Sequence, residues 1–386
     1  MEGPRPARAD ELAAVVELSN TVFGDYAPHD MGRWFPTLFC RENLGHLRVF
    51  VDGGRPVALA GFTVDRVVAP GISFTVACVG SVCTLKSHQG RGLGTRLMDD
   101  CVAAARSVGV TTLLISGGRG LYRRMGCIDA GRYATLKVPG RTALTAAMTA
   151  ALTASRPAAG STGRAVREWR LADVPRLAGL HRTEPVRFER TEQVWYALLR
   201  TGRVATRPCR VWVVTATDRP EHVEAYLAVK EAVDTPEGRT VSVPELAGSR
   251  VAVLSGLPQV MDAMRADRAD VDFLASDREM AGVAARHGLE VVPRGFHGTV
   301  KVIDPPRLIP ALRRLVGHGV PIEAGADGLV FRHGTESFAV RGLDEVTAFL
   351  FGSVERQPAL PGHGPLRSAL QAAFPIPLPD YGFNYI

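Results

Sequence analysis

The sequence predicts a mixed α/β fold in which one strand–helix–strand plan occurs twice and a smaller α+β segment follows. In the first copy, a β-branched run at 72–85, an amphipathic helix at 93–108 and an apolar run at 111–116 form a βαβ unit. Residues 165–303 contain the same order of elements, which indicates an internal repeat. Residues 304–386 contain short alternating runs between helices, as expected of a small α+β domain.

The composition is that of a globular chain. Of 386 residues, 46% are hydrophobic and 22% are charged, and the net charge is +7. The arginines are scattered and aromatic residues make up only 7%, so the pattern of a nucleic-acid-binding surface is absent. No run of about 18 apolar residues is present, and the N-terminal residues have no apolar core after their charges, so we expect no secretory leader. We therefore expect a cytoplasmic protein with no nucleic-acid and no membrane partner. We also expect a homo-oligomer.

The N-terminal elements follow from hydrophobic spacing. Residues 9–23 have apolar side chains at intervals of three and four, which predicts a helix. Residues 29–46 contain several aromatic side chains and form either a core helix or one wall of a substrate cleft. Two apolar runs then flank Gly53 and Gly54, which predicts a β-hairpin.

The domain boundaries follow from changes in composition. Residues 141–164 are rich in Ala, Thr, Ser and Gly, which is typical of a linker. We therefore expect a catalytic domain at 1–140, a linker at 141–164, a second domain at 165–303 and a C-terminal domain at 304–386.

The second copy is expected to keep the scaffold and to lose the chemistry. Its turn at 255–258 has no Gly-x-Gly pair, and Ala284 stands where the first copy has Tyr122. Ser276 and Glu279 predict a capping box for its last helix. Its predicted elements are a helix at 172–180, strands at 210–215, 225–230 and 250–254, a helix at 258–266, a strand at 271–275 and a helix at 277–287.

The C-terminal segment combines helices with short strands. We predict helices at 306–316 and 343–351, with strands at 328–332 and 337–340 between them. The final residues, FPIPLPDYGFNYI, are rich in Pro and aromatic side chains. A tail of this composition is expected to pack against the protein and not to extend into solvent.

A glycine-rich turn joins the strand at 72–85 to the next helix, with the sequence Gln89-Gly90-Arg91-Gly92-Leu93-Gly94. Glycines let phosphate oxygens approach the backbone N–H groups of a helix N-terminus, and Arg91 and Arg96 add positive charge. The turn lacks the Lys of a nucleotide P-loop. It also lacks the G-x-G-x-x-G spacing and downstream acid of a dinucleotide fold.

The turn resembles the signature of the GCN5-related N-acetyltransferases, [R/Q]-x-x-G-x-[G/A], and matches it at each defined position. A second motif of that family is Tyr-x-x-x-Gly followed by an aromatic residue. It is similar to the segment from Tyr122 to Cys127, except that Cys127 replaces the aromatic residue. The resemblance covers residues 5–140.

The resemblance implies acetyl-CoA as cosubstrate and direct transfer of its acetyl group to a primary amine. The strand residues Val82, Cys83 and Thr84 would pair with the pantetheine arm, and Tyr122 would protonate the departing thiolate. From the residues alone, Tyr122 stays open as a packing residue. Cys83 stays open as an acyl-accepting thiol, although no His or carboxylate is near it in sequence. The coenzyme would be held by Val82, Cys83, Thr84, Gln89, Gly90, Arg91, Gly92, Leu93, Gly94 and Thr95.

The general base is the missing part of this prediction. The strand at 72–85 contains neither Asp nor Glu. The layout of the whole chain resembles the enhanced-intracellular-survival acetyltransferases, in which the chain's own terminal carboxylate enters the active site. This resemblance implies the carboxylate of Ile386 as the base. The alternative is a tail that packs only for stability.

No metal is expected, because the sequence contains no H-E-x-x-H motif and no Cys/His cluster. The six cysteines form no C-x-x-C pair, which favours reduced, buried thiols. The acceptor stays open between a small-molecule amine and a protein amine. A longer acyl-CoA and a non-catalytic acyl-CoA sensor also stay open.

Overall fold

The computed structural model describes residues 1–24, 30–140, 163–317, 319–352, 360 and 363–386. Apart from its last two residues, the predicted linker lies outside the described residues. The chain divides into two units. The first unit contains Met1–Gly131, Phe296–Leu378 and Asn384–Ile386, and the second contains Arg132–Gly295 and Pro379–Phe383.

The described strands and helices are named in chain order. The first part of the chain contains β1 (Glu2–Pro6), α1 (Leu12–Phe23), α2 (Met31–Trp34), β2 (Leu47–Asp52), β3 (Arg55–Ala69), β4 (Ile72–Thr84), α3 (Leu93–Ser107), β5 (Thr112–Ile115), α4 (Gly120–Arg124) and β6 (Tyr133–Val138). The middle contains β7 (Arg164–Glu168), α5 (Val174–Thr183), β8 (Arg187–Phe188), α6 (Glu192–Thr201), β9 (Arg203–Val204), β10 (Arg207–Ala216), β11 (Arg219–Thr235), β12 (Gly238–Gly248), α7 (Arg250–Ala263), β13 (Arg268–Leu274), α8 (Arg278–Arg286) and β14 (Glu290–Arg294). The last part contains β15 (Thr299–Val302), α9 (Pro305–Val316), β16 (Ile322–Ala324), β17 (Gly328–His333), β18 (Glu336–Arg341), α10 (Leu343–Phe351) and α11 (Pro365–Ala373).

The first unit is built on a mixed sheet with the strand order β1-β2-β3-β4-β5-β15. β4 and β5 are parallel, whereas the other neighbours are antiparallel. α3 packs on this sheet through Leu97, Met98 and Cys101, which are fully buried. Their spacing places them on one helix face, and burying each side chain stabilises the unit by about 1.5–3 kcal/mol.

The aromatic segment after α1 belongs to the core of the first unit. Met31, Phe35, Leu38 and Phe39 are all buried. Leu38 lies against β3 so closely that a Cβ atom on Gly61 would be 2.9 Å from its Cδ1 atom. Of the two roles that the sequence left open, the structure supports core packing for these four side chains.

The segment predicted as a separate C-terminal domain is joined to the first unit through residue 378. β15 extends the first sheet by pairing with β5. The Arg106 side chain donates from Nε to the Ile303 carbonyl at 2.7 Å, and Thr347 Oγ1 accepts from the Val302 N–H at 2.9 Å. β16, β17 and β18 form a separate antiparallel sheet in this segment. A pattern of alternating runs predicts such strands but not which core they join.

The second unit has a mixed sheet with the order β14-β6-β13-β12-β11-β10-β7. β12 and β13 are parallel. β6 falls within the predicted first domain, yet it lies between β13 and β14. The prediction of a mixed α/β fold with mixed sheets is confirmed. Within the described ranges, no helix has the length and apolarity needed to cross a membrane.

The strand predicted at 250–254 and the turn predicted at 255–258 are wrong, because both lie inside α7. Ser249 caps this helix by accepting a hydrogen bond from the Ala252 N–H at 3.2 Å. A Cβ atom on Gly256 would lie 2.9 Å from side chains of two strands. The helix is therefore buried along the sheet, and its continuous apolar run resembles a buried strand in sequence.

The capping box predicted at Ser276 is wrong by one residue. Asp277 is the N-cap of α8 and accepts from the Met280 N–H at 2.9 Å. The Glu279 carboxylate accepts a hydrogen bond from the Arg250 N–H and does not complete a box. Gly288 follows the helix with φ +60°, which is typical of a glycine at the C′ position.

Candidate active site

The candidate site begins where β4 and β5 separate. Their parallel ladder ends at the pair Val79 and Ile115. β4 continues past that point and contains a bulge, in which Ser81 has φ +51°. A bulge redirects a strand and interrupts its pairing. The edge of β4 beyond Val79 therefore has no described β5 partner and can pair with an extended ligand.

The three predicted pantetheine-binding residues lie on this edge. Val82 and Cys83 are buried and Thr84 is half-buried. On their other side, Cys83 pairs with Leu59 and Thr84 with Ala58 of β3. The site is thus a sheet edge supported from behind by the core.

The glycine-rich turn lies between this edge and α3. Gln89 donates from Nε2 to the Thr84 carbonyl at 3.2 Å, which ties the turn to the strand. Gly90 and Gly92 have φ +77° and +71°, and a Cβ atom on either would meet no atom within 4 Å. Both glycines therefore border open space and have a backbone conformation that favours glycine.

The N-terminus of α3 opens onto the same space. Gly92 is its N-cap, and no side chain caps the helix. The first N–H groups of a helix have no partner within the helix, so those of Leu93, Gly94 and Thr95 can bind an anion. The Leu93 side chain is buried in the core, which leaves its backbone as the part that can contact a ligand.

Two arginines flank the turn. Arg91 is exposed and makes one long contact, from Nη2 to the Ser87 carbonyl at 3.4 Å. Arg96 lies over the Phe50 ring, with Cζ 4.6 Å from its centroid. Stacking fixes the Arg96 guanidinium near the helix N-terminus, whereas Arg91 stays available for a phosphate.

Tyr122 lies on α4 and is only 6% exposed. Burial raises the pKa of Tyr122 to about 12, so the phenol stays protonated at neutral pH. Tyr385 and Cys83 are close enough to act on this pKa. Cys127, which replaces the aromatic residue of the motif, lies in the same hydrophobic core as Tyr122.

Cys83 does not have the properties of a nucleophile. Burial raises the pKa of its thiol to about 12, so the thiolate is scarcely populated at neutral pH. Reactive cysteines instead have lowered pKa values and some exposure. The structure favours a packing role for the Cys83 side chain.

Ile386 lies at the point where β4 and β5 separate. Ser116, the first residue after β5, donates from Oγ to the terminal oxygen of Ile386 at 2.7 Å. A Cβ atom on Gly80 would lie 2.4 Å from the Ile386 carboxyl carbon and oxygen. Asn384 donates from Nδ2 to Asp65 of β3 at 2.9 Å. The tail is thus anchored in the first unit by three specific contacts.

The contacts of Ser116, Gly80 and Asp65 with the tail were not predicted from the sequence. Gly80 carried a usable signal, because a glycine inside an apolar strand often marks a close approach by another backbone. Ser116 and Asp65 carried none, since polar residues next to strands are common. The structure places β4, the glycine-rich turn, Tyr122 and Ile386 in the first unit, around the point where β4 and β5 separate.

A family model matches the part of the chain that contains the glycine-rich turn and Tyr122. Residues 4–128 match the model described as an acetyltransferase (GNAT) domain. This part of the chain is a GNAT domain. The match covers about a third of the chain, and it supports acyl transfer as the class of reaction for this domain.

Solved structures share the fold of the GNAT domain and of the chain around it. A GCN5-related N-acetyltransferase from Kribbella flavida has 16% identity and a TM-score of 0.63, with 97% of each chain covered. Eis1 from Mycobacterium abscessus has 15% identity and a TM-score of 0.62, with 99% of each covered. A GCN5-related N-acetyltransferase from Anabaena variabilis has 11% identity and a TM-score of 0.60, covering 90% of this chain and 89% of its own. Among curated proteins, none matches significantly.

Proposed function

We propose that this protein is an acetyl-CoA-dependent N-acetyltransferase that acts on a primary amine. One observation carries the proposal. An uncapped helix N-terminus follows two glycines that border open space, directly after a strand edge without a described partner. A pyrophosphate fits the helix N-terminus, and an amide-containing arm fits the strand edge.

The proposed reaction is a direct transfer. The neutral amine attacks the thioester carbonyl, so that a C–N bond forms and the C–S bond breaks. A backbone N–H of β4 beyond Val79 would stabilise the oxyanion. Tyr122 would donate its phenolic proton to the departing thiolate, and the amine proton would pass to the carboxylate of Ile386.

The buried groups support Tyr122 as the donor. Burial raises the pKa of both Tyr122 and the neighbouring Cys83 thiol to about 12. A departing thiolate in the same surroundings would also become more basic. The phenol and the thiol would then have similar affinities for the proton, and similar affinities favour efficient general-acid transfer.

The position of Ile386 supports its carboxylate as the base. It lies at the strand separation, and the Ser116 hydroxyl fixes one of its oxygens at 2.7 Å. The described residues of β4 include no Asp or Glu. A carboxylate supplied by the tail would therefore fill a role that this strand leaves open.

Calorimetry with acetyl-CoA and a CoA-release assay with a panel of amines would test the proposal. We expect saturable binding of acetyl-CoA and turnover with at least one member of a panel of diamines, amino sugars and Lys-containing peptides. Octanoyl-CoA in the same assay tests for a longer acyl group. Absence of binding to either coenzyme would contradict the proposal. Binding without turnover on any amine would instead support a sensor.

A further inference from the structure

The second unit contains a cavity of about 90 Å³ where its parallel strands separate. The β12–β13 ladder ends at Val243 and Val271, and the next residues on each strand, 244–246 and 272–274, line the cavity. In the first unit, the proposed acyl-CoA site also begins where the parallel ladder ends. The two sites thus occupy matching positions within their own units.

The cavity has no cradle for acyl-CoA. One residue, Ser249, separates β12 from α7, whereas residues 85–92 separate β4 from α3. Donors in the first turn of α7 also have acceptors already. The Arg250 N–H donates to the Glu279 carboxylate, and the Ala252 N–H donates to the Ser249 hydroxyl, both at 3.2 Å. A pyrophosphate therefore finds no open backbone donors at these positions.

The cavity wall is strongly charged. Four arginines and five carboxylates line it. The arginine and carboxylate side chains that form ion pairs in this wall are each at most 16% exposed. Burying ions costs several kcal/mol each, so such a cluster stabilises the fold poorly and is typical of functional sites. The ion pairs are Arg190 with Glu245, Arg250 with Glu184 and Asp277, and Arg294 with Asp272 and Asp380.

Arg187, the fourth arginine, has no carboxylate partner among the residues that the structure describes. Its Nη1 atom donates to the Glu184 carbonyl at 2.9 Å. Its Nε atom is buried and has no acceptor. An unsatisfied buried N–H destabilises the protein by about 1–3 kcal/mol. Because Arg187 lines the cavity and its guanidinium has no described carboxylate partner, a ligand carboxylate beside it would be favourable.

Another part of the wall has an excess of negative charge. Arg250 lies between Glu184 and Asp277, so this group of three carries one net negative charge. An ammonium group is the complementary ligand. The cavity has room for about six to nine water-sized groups, so a ligand with a similar number of non-hydrogen atoms fits within it.

We propose that this cavity binds a small zwitterion, an α-amino acid with about six to nine non-hydrogen atoms. Its carboxylate pairs with Arg187, and its ammonium group faces the carboxylates around Arg250. Binding at this site does not depend on acyl transfer in the first unit, because the residues that line the cavity all lie in the second unit.

Calorimetric titration of the full chain with alanine, serine and aspartate tests the proposal. Acetate and methylamine serve as probes with one charge only. We expect saturable binding of at least one amino acid and much weaker binding of either single-charge probe. In Arg187→Met, the affinity for the amino acid falls at least about tenfold, whereas acetyl-CoA affinity is unchanged. Arg182→Met, an exposed arginine on α5, is the matched control and binds as the wild type does.

Three results would overturn the proposal. The first is that none of the three amino acids binds saturably at millimolar concentration. The second is that acetate binds as tightly as the amino acids. The third is that Arg187→Met leaves the amino-acid affinity unchanged. Arg187→Lys covers the case in which Arg187→Met fails to fold. Lysine keeps the charge but loses the planar fork, so we expect amino-acid affinity that is weaker than that of the wild type but not lost. Unchanged amino-acid affinity would again overturn the proposal.

Discussion

Tyr122 illustrates how burial sets chemistry at the scale of one residue. The same surroundings raise the pKa of this phenol and of the Cys83 thiol to about 12. For Cys83, a raised pKa removes the nucleophile, because the thiolate is the reactive form. For Tyr122, it keeps the proton that a general acid must donate. One physical effect therefore excludes one candidate role and supports the other.

Replacing Tyr122 with Phe should lower kcat by about 10²–10⁴-fold and leave acetyl-CoA affinity unchanged, because the ring still fills its place in the core. Since the pKa of Tyr122 is about 12, ionisation of the phenol should cause no loss of wild-type activity up to pH 10. Steady-state kinetics across pH, with calorimetry of coenzyme binding, would check both expectations. Tyr196→Phe is the control. Equal turnover of Tyr122→Phe and the wild type would reject the acid role.

Gly80 provides a second test at the scale of one residue. Gly80→Ala would place a Cβ atom 2.4 Å from the Ile386 carboxyl group, so the tail must move. We expect kcat to fall at least about tenfold, with acetyl-CoA affinity nearly unchanged, if the carboxylate accepts the amine proton. Gly45→Ala is the control, because a Cβ atom there meets nothing within 4 Å. Unchanged kcat in Gly80→Ala, with a crystal structure showing the tail displaced, would exclude the carboxylate as base.

At the scale of elements, the connection between a strand and its helix decides the ligand. In the first unit, residues 85–92 form a turn that leaves the α3 N-terminus uncapped. In the second unit, Ser249 alone connects β12 to α7 and also caps the helix. A free helix N-terminus binds anions, whereas a capped one has lost one of its donors. Similar scaffolds thus differ in the backbone donors that they offer to an anion because of one connection.

Placing an acid in the turn should abolish coenzyme binding. Gly92→Asp puts a carboxylate where the pyrophosphate is expected, and Gly94→Glu does so within the first turn of the helix, so repulsion opposes binding. We expect acetyl-CoA affinity to fall at least about 100-fold in each variant. Gly334→Asp is the matched control, because Gly334 has a positive φ and open surroundings as Gly92 does but lies in a distant hairpin. Wild-type affinity in both turn variants, measured by calorimetry, would contradict the assignment.

The sequence predicts elements well where their periodicity is unambiguous. The amphipathic spacing of α3 led to bounds within one residue of those observed, and the glycine pair located the β2–β3 hairpin. α7 was missed because a helix buried along its length has a continuous apolar run, which is also typical of a strand. β15 was missed because Thr299–Val302 is short, and its place beside β5 depends on a contact far away in sequence.

The candidate site was predictable to a similar extent. The glycine turn and Tyr122 follow from local motifs, so the sequence located them directly. Ser116 and Gly80 contact a tail that is about 270 and 306 residues away in sequence. The glycine indicates that another backbone approaches closely, but no local pattern indicates which segment does so. The cavity at Arg187 was also not predicted, since scattered arginines are common in a chain with this net charge.

At the scale of the whole molecule, acid should destabilise the second unit through two buried groups. Burial, with Arg190 nearby, lowers the pKa of His181 to about 4. Burial alone would raise the pKa of Glu245, but Arg190 outweighs it and holds the pKa at about 2. Both groups belong to the second unit. Each binds a proton more readily in the unfolded chain, so acid should favour unfolding of this unit.

The His181 contribution has a defined pH window. Above pH 6.5 the imidazole is neutral in both states and has no effect on stability. Between pH 6.5 and 4 the unfolded chain is protonated first, so the free energy of unfolding should fall by about 3 kcal/mol. The Glu245 contribution is lost further down, between pH 4.5 and 2. Urea denaturation at several pH values would measure the slope.

His181→Gln isolates the first part of this effect. The amide can replace the bonds to the Phe188 carbonyl and to Tyr226 but cannot be protonated, so the slope between pH 6.5 and 4 should become shallower. His222→Gln, at an exposed position, should leave the slope unchanged. A slope in His181→Gln equal to that of the wild type would show that other groups cause the acid sensitivity.

The cysteines give the two units separate chemical labels. Cys209 lies in the second unit and the other five lie in the first, and all but Cys40 are buried. Burial also raises the pKa of the Cys209 thiol to about 12 and that of the Cys127 thiol to about 11. In the folded protein they should therefore resist alkylation, and each should react only when its surroundings open. A timed pulse of alkylating reagent, followed by peptide mass spectrometry, would report which unit opens first without any engineered probe.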